Sequence, residues 1–169
     1  MTRTYRVLFL CRGNSARSII AEALLRELAG HRFEAFSAGA EPAARVHPLA
    51  LAQLRPGISD LDLLSPKSWL EFTSEWAPKM DLVISMDGCV EEYYAPVFPG
   101  VPPSARWNFA DPLADGMTQA ERVRSFETVF WQILHRVTLL MELPGYAAAP
   151  EPAAPVKAES CGSEVACDD

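Results

Sequence analysis

The sequence contains no apolar run near the roughly 20 residues that a membrane-spanning helix needs, and the apolar stretch in its opening MTRTYRVLFL is too short for a signal peptide. A cytoplasmic protein with no membrane partner is the expectation. Positive charge is scarce. The chain carries 15 Lys and Arg against 22 Asp and Glu, a net charge of −7, which argues against a broad basic face for nucleic acid or anionic lipid. Any anion site must therefore be local. Histidine is rarer still: His31, His47 and His135 stand far apart and form no ligand cluster in sequence, so no metal is expected. There are four cysteines, Cys11, Cys89, Cys161 and Cys167. With no sign of export they do not read as a disulfide framework, and Cys11 at least reads as a reactive or redox thiol. The sequence also lacks an internal repeat.

What is present is ordinary in bulk and specific in arrangement. A hydrophobic content of 49% with 22% charged residues over 169 residues predicts a single domain with a proper core. Residues 5–10 form an apolar run expected of a parallel strand covered on both faces. After Arg17, the residues Ile20, Ala23, Leu24 and Leu28 recur at helical spacing, with Glu22, Arg26 and Glu27 mostly elsewhere, and Gly30 supplies a stop. Residues 32–37 and 81–86 read as further strands, 105–108 as a short one, and 47–54 and 89–94 as short helices. Ser68 reads as the cap of a short helix running to Phe72.

The clearest element is the last helix. Phe126, Val129, Phe130, Ile133, Leu134, Val137, Leu140 and Met141 hold one helical face, and Thr118 with Glu121 forms a capping box at its start. His135 falls on its solvent side. Strands alternating with helices predict a parallel sheet with helices on both faces, and a site after the first strand then lies at the sheet's carboxyl edge. Residues 1–143 read as the folded domain. Residues 144–169, rich in Ala, Pro and acidic side chains, read as a disordered tail.

The chemistry centres on the loop between the first strand and its helix: Cys11, then Arg12, Gly13, Asn14, Ser15, Ala16, Arg17 and Ser18. A small-residue loop running into a helix N-terminus points backbone N–H groups at one spot and binds an oxyanion. Arg17 offers a planar fork to two oxygens of that anion. Asn14 suits a left-handed backbone position or a side-chain brace, and the Ser18 hydroxyl is placed to hydrogen-bond the Cys11 sulfur. A thiolate beside loop amides, a helix start and a guanidinium is expected to have a pKa well below that of a free cysteine.

The segment CRGNSARSIIAE resembles the phosphate-binding loop of the low-molecular-weight protein tyrosine phosphatase superfamily, and within it the arsenate reductases. The resemblance covers about residues 5–143 and includes FSAG (36–39), VHPLA (46–50), PVFPG (96–100) and WNFADP (107–112). It implies an α/β fold of three layers, a four-stranded parallel sheet flanked by helices. It also implies that Asp111, ahead of Pro112, is the general acid that protonates the departing oxygen, since an oxyanion centre does not readily expel hydroxide or alkoxide otherwise.

Within that family the residues favour arsenate reduction. Ala16 stands where the phosphatases carry a second cysteine and Ile19 where they carry a proline. Leu113, Ala114 and Asp115 replace the tyrosines that line a phosphotyrosine slot. Against this, Met86 and Ala95 occupy the places of the resolving cysteine pair of thioredoxin-coupled reductases. The second thiol is then Cys89, or the tail pair Cys161 and Cys167, or an external thiol such as glutathione or mycothiol acting with a glutaredoxin-like protein, or thioredoxin; the external thiol is preferred. The alternatives are a phosphatase hydrolysing phosphomonoesters through a phosphocysteine, and a non-catalytic oxyanion or As(III) sensor. Some relatives hold a potassium ion, for which Asn14 and Ser37 are the candidates here.

Overall fold

The protein is described from a computed structural model, in which residues 3–143 and 145 are placed. The expected tail from Pro144, with Cys161 and Cys167, lies outside the described residues apart from Gly145. Four parallel strands, β1 (Tyr5–Cys11), β2 (Phe33–Gly39), β3 (Leu82–Ser85) and β4 (Ser104–Arg106), form one sheet in the order β2-β1-β3-β4. β1 lies inside the sheet between β2 and β3, in register Cys11 to Gly39 and Leu10 to Ser85. That central place is why Val7, Leu8, Phe9 and Leu10 run as unbroken apolar residues: all four are fully buried, each worth about 1.5–3 kcal/mol.

Alternation along β1 sorts the layers. Val7, Phe9 and Cys11 face a core shared with helices α1 (Arg17–Ala29), α2 (Pro48–Leu54) and α4 (Gln119–Glu142). Leu8 and Leu10 face a smaller core with Trp69, Phe72, Met80, Cys89 and Phe98, closed by a 3-10 turn (Trp69–Phe72) and the short helix α3 (Cys89–Glu92). The sheet is thus covered on both sides, in the three layers the family resemblance implied.

α4 follows its sequence pattern. Phe126, Val129, Ile133, Val137 and Leu140 are buried, and Phe130, Leu134 and Met141 pack partly against the same core. Its capping box is formed: the Thr118 hydroxyl accepts from the Glu121 N–H, and the Glu121 carboxylate accepts from the Thr118 N–H. His135 is exposed. The Ser68 hydroxyl caps the 3-10 turn by accepting from the Leu70 N–H. Two details of α1 depart from the periodicity. Leu28 is 43% exposed, whereas Glu22, placed on the polar side by spacing, is only 3% exposed. α1 is covered by β2 as well as by β1 and α4, so its buried arc is wider than a single apolar stripe and takes in Glu22. Among the described residues no helix is long and apolar enough to cross a membrane.

Candidate active site

β1 ends at Cys11 and α1 begins at Arg17, so the loop 12–16 turns at the carboxyl edge of the sheet. The loop is held from outside by its own carbonyls. Arg12 O accepts from the Glu41 N–H at 2.8 Å, Gly13 O from Ala43 at 2.9 Å and Ser15 O from His47 at 2.9 Å. With the carbonyls turned outward, the N–H groups of Gly13, Asn14, Ser15 and Ala16 have no acceptor among the described residues. Ala16 at the helix start provides no side-chain cap. Uncapped amides of this kind attract an anion. Gly39 makes the packing possible, because a Cβ there would lie 2.8 Å from Arg12 O and 3.0 Å from Asn14.

A cavity of about 290 Å³ opens over this loop, lined by residues 11–17 together with Glu41, Ala43, Asp111 and Leu113. Asp111, far from Cys11 and Arg17 in sequence, therefore meets them at one place. Arg17 is 7% exposed and is held on three sides. It donates to the Asp87 carboxylate at 2.8 Å and the Phe109 carbonyl at 3.2 Å, and lies 3.7 Å from Asp111 Oδ1. Asp111 is half exposed at the cavity mouth, and its Oδ1 accepts from the Leu113 N–H at 2.9 Å. Arg12 contributes backbone rather than charge: its side chain turns to Glu41 at 3.3 Å and over the Tyr93 ring.

Behind the cavity a relay of hydrogen bonds ends on the nucleophile. Asn14 has φ 47°, the left-handed conformation anticipated for it. It also braces the loop, its Oδ1 accepting from the Lys67 N–H at 2.9 Å and its Nδ2 donating to Ser18 Oγ at 2.8 Å. Ser18 Oγ lies 2.8 Å from Cys11 Sγ. Either atom can donate across this pair while Cys11 is a thiol; toward the thiolate the Ser18 hydroxyl is the donor. Ser18 is fully buried, so it serves the thiol rather than touching the anion.

One expectation is reversed. Burial is the largest influence on the Cys11 thiol and pushes its pKa up. The Ser18 hydroxyl, Arg17 and the Ser18 N–H pull it back, and Asp87 pushes it up again. The balance stands above the free-cysteine value, where the sequence led us to expect a depressed one. The cations and amides of the loop are visible in the sequence; the near-complete burial of Cys11 and the carboxylate beside Arg17 are not.

Asp87 is the site residue that sequence reasoning missed. Besides holding Arg17, it accepts from the Arg12 N–H at 3.1 Å and from the Cys89 N–H at 2.9 Å, so one carboxylate ties the loop, the arginine and α3 together. The available signal was its place, the first carboxylate after the third parallel strand, at the edge where such sheets carry their sites. Cys89 lies close by but is 1% exposed. Burial, and then Asp87 through a hydrogen bond and its charge, push the Cys89 thiol strongly up.

Residues 6–143 match the family described as low molecular weight phosphotyrosine protein phosphatase. Arsenate reductase 1 of Bacillus cereus is 32% identical over 121 residues, 70% of this chain and 84% of that protein. A solved arsenate reductase in the oxidized state superposes with a TM-score of 0.64 at 30% identity, over 83% of this chain and 96% of that one. The thioredoxin-dependent arsenate reductase of Corynebacterium glutamicum superposes with a TM-score of 0.54 at 29% identity, covering 82% of this chain and 64% of its own. With the matched span running from the first strand through the closing helix, and the loop, arginine and Asp-Pro pair assembled on one cavity, this chain belongs to the low-molecular-weight phosphotyrosine protein phosphatase family.

Proposed function

We propose that this protein is a thiol-dependent arsenate reductase. The observation that carries the reading is the cavity itself. It is about 290 Å³, floored by unpaired loop amides and a guanidinium, and walled by Ala43 and Leu113 rather than by aromatic rings. Such a site suits a small inorganic oxyanion and has no slot for an aryl ester.

In this reading arsenate binds on the loop amides and Arg17. The Cys11 sulfur attacks arsenic, an As–O bond breaks, and Asp111 gives that oxygen its proton so that it leaves as water. A second thiolate then attacks the Cys11 sulfur. The S–As bond breaks with its electron pair going to arsenic, which departs as As(III), and Cys11 is left in a disulfide. A further thiol returns Cys11 to its reduced form, so two thiols are oxidised for each arsenate reduced. Loop amides and Arg17 hold the charge on the oxygens throughout, a class of interaction whose loss typically costs ~10²–10³ in rate.

The resolving thiol is external in this reading: glutathione or mycothiol with a glutaredoxin-like protein, or thioredoxin. The support is the state of Cys89, which is buried, bonded to Asp87 and pushed toward its protonated form, whereas exchange requires an accessible thiolate. Cys161 and Cys167 lie outside the described residues and remain the internal alternative. The catalytic unit is residues 1–143, acting in the cytoplasm. One feature favours a second reading, hydrolysis of a phosphocysteine by water: among the described residues no accessible thiol accompanies Cys11.

Purified protein given arsenate with each thiol system in turn, and separately an aryl phosphate, decides between them. Thiol-dependent arsenite release that survives Cys89→Ser and is abolished by Cys11→Ser is expected. Fast aryl phosphate turnover without arsenite release would overturn the reductase reading in favour of the phosphatase.

A further inference from the structure

Glu22 is a buried carboxylate that the proposed reaction does not use. It pairs through Oε1 with Arg26 at 3.3 Å, while Oε2 has no hydrogen-bond partner. Ser37 is fully buried nearby, and its hydroxyl also lacks a partner. Burial pushes the Glu22 carboxyl up, and Lys67, then Arg26, pull it back. Two unpartnered oxygens beside one charge mark a place that takes a cation.

A cation of the chain itself stands near this place, although it bonds neither of the two oxygens. The Lys67 ammonium donates to Ser65 O at 2.7 Å and Ser37 O at 3.2 Å. The same residue is pinned at its backbone: its N–H donates to Asn14 Oδ1 at 2.9 Å, and its carbonyl accepts from the Gly39 N–H at 2.9 Å. Lys67 therefore joins the Ser37 carbonyl to Asn14, and through Asn14 and Ser18 to the Cys11 sulfur, while its charge acts on Glu22 without an ion pair.

The potassium ion that the family resemblance raised does not fit this arrangement. Of its candidate donors, Asn14 Oδ1 already accepts from the Lys67 N–H, and the Ser37 carbonyl already carries the Lys67 ammonium, which also sits on the Ser65 carbonyl. A free ion seated against Glu22 Oε2 and Ser37 Oγ would be repelled by that ammonium.

We propose that Lys67 is a tethered monovalent cation: its ammonium, lodged on the carbonyls of Ser37 and Ser65 beside Glu22, holds Asn14 and the oxyanion loop in binding form, so that oxyanion binding needs no free potassium. Lys67 is a positioning residue, acting through Asn14 rather than on the anion. The inference concerns binding and does not depend on whether the bound anion is reduced or hydrolysed, so its failure would leave the proposed reaction standing.

The test measures phosphate affinity by calorimetry, and the thermal midpoint, in potassium, sodium or tetramethylammonium chloride at equal ionic strength. The unmodified protein should give the same affinity and midpoint in all three. Tighter phosphate binding and a higher midpoint only in potassium would overturn the proposal, and this arm needs no variant to fold. Lys67→Ala opens the space. In tetramethylammonium it should bind phosphate at least about tenfold more weakly, the equivalent of one charge-assisted hydrogen bond, and recover in potassium more than in sodium. A variant that binds as tightly as the parent, or one weakened and restored by neither ion, would also overturn it.

Discussion

Replacing Ser18 by alanine tests the relay onto Cys11 through the sign of one change. The hydroxyl lies 2.8 Å from Cys11 Sγ and accepts from Asn14 Nδ2 at 2.8 Å; toward the thiolate it can only donate, and that bond stabilises the charged form. A hydrogen bond to a charged group contributes about 1.5–3 kcal/mol, and one pKa unit corresponds to about 1.4 kcal/mol. Removing it should raise the Cys11 thiol by about one to two units. At any pH below both midpoints the thiolate fraction then falls ~10- to 100-fold; above both midpoints the two proteins react equally. The measurement is the rate of iodoacetamide labelling of Cys11 against pH, in a background where Cys89, Cys161 and Cys167 are serine. Were the thiol instead the donor to Ser18, the neutral form would be the one stabilised and the midpoint would drop. An unchanged or lowered midpoint would refute the relay. The variant also leaves Asn14 Nδ2 buried without an acceptor, which should cost about 1–3 kcal/mol in urea unfolding.

Asp111→Asn should lower turnover with arsenate by ~10²–10⁴ without raising the inhibition constant for phosphate, because it removes a proton donor and a carboxylate beside Arg17 but no anion ligand. Asp87→Asn should move the titration midpoint of Cys11 down in the same labelling experiment, since the carboxylate raises that thiol; an upward shift would contradict that reasoning. Phe126→Ala should destabilise the protein by about 3–5 kcal/mol in denaturant unfolding, because the ring is fully buried and stacks 5.1 Å from His47. His47 in turn donates its N–H to Ser15 O, so that variant should also bind phosphate more weakly.

The fold was legible wherever burial was uniform or strictly periodic. The run from Val7 to Leu10 could only be an inner strand, and the eight apolar positions of α4 could only be one helix face; both are as read. Legibility failed where a residue's surroundings come from distant segments. Glu22 sits at a polar position by spacing, yet β2 covers that part of α1 and buries it. Asp87 resembles any loop aspartate until the sheet brings it to Arg17, 70 residues away in sequence. Lys67 lies in a stretch to which the sequence assigned no element, and its four hydrogen bonds run to Ser37, Ser65, Asn14 and Gly39.

The sequence by itself determined the family and located the cysteine nucleophile and the loop proposed to hold the anion. A thiol, small residues and an arginine between an apolar strand and a helix form a local motif whose chemistry follows from backbone geometry alone. Tertiary structure decided how that motif is tuned. It buried Cys11 and set Asp87 against Arg17, so that the thiol stands higher than the loop alone implies. It enclosed Cys89, removing the nearest second thiol from easy reach. And it seated a lysine ammonium on the carbonyl of Ser37, where its charge acts on a buried carboxylate. Each of these is an effect of desolvation or of charges a few ångströms apart across the fold, and neither quantity exists until the chain has closed on itself.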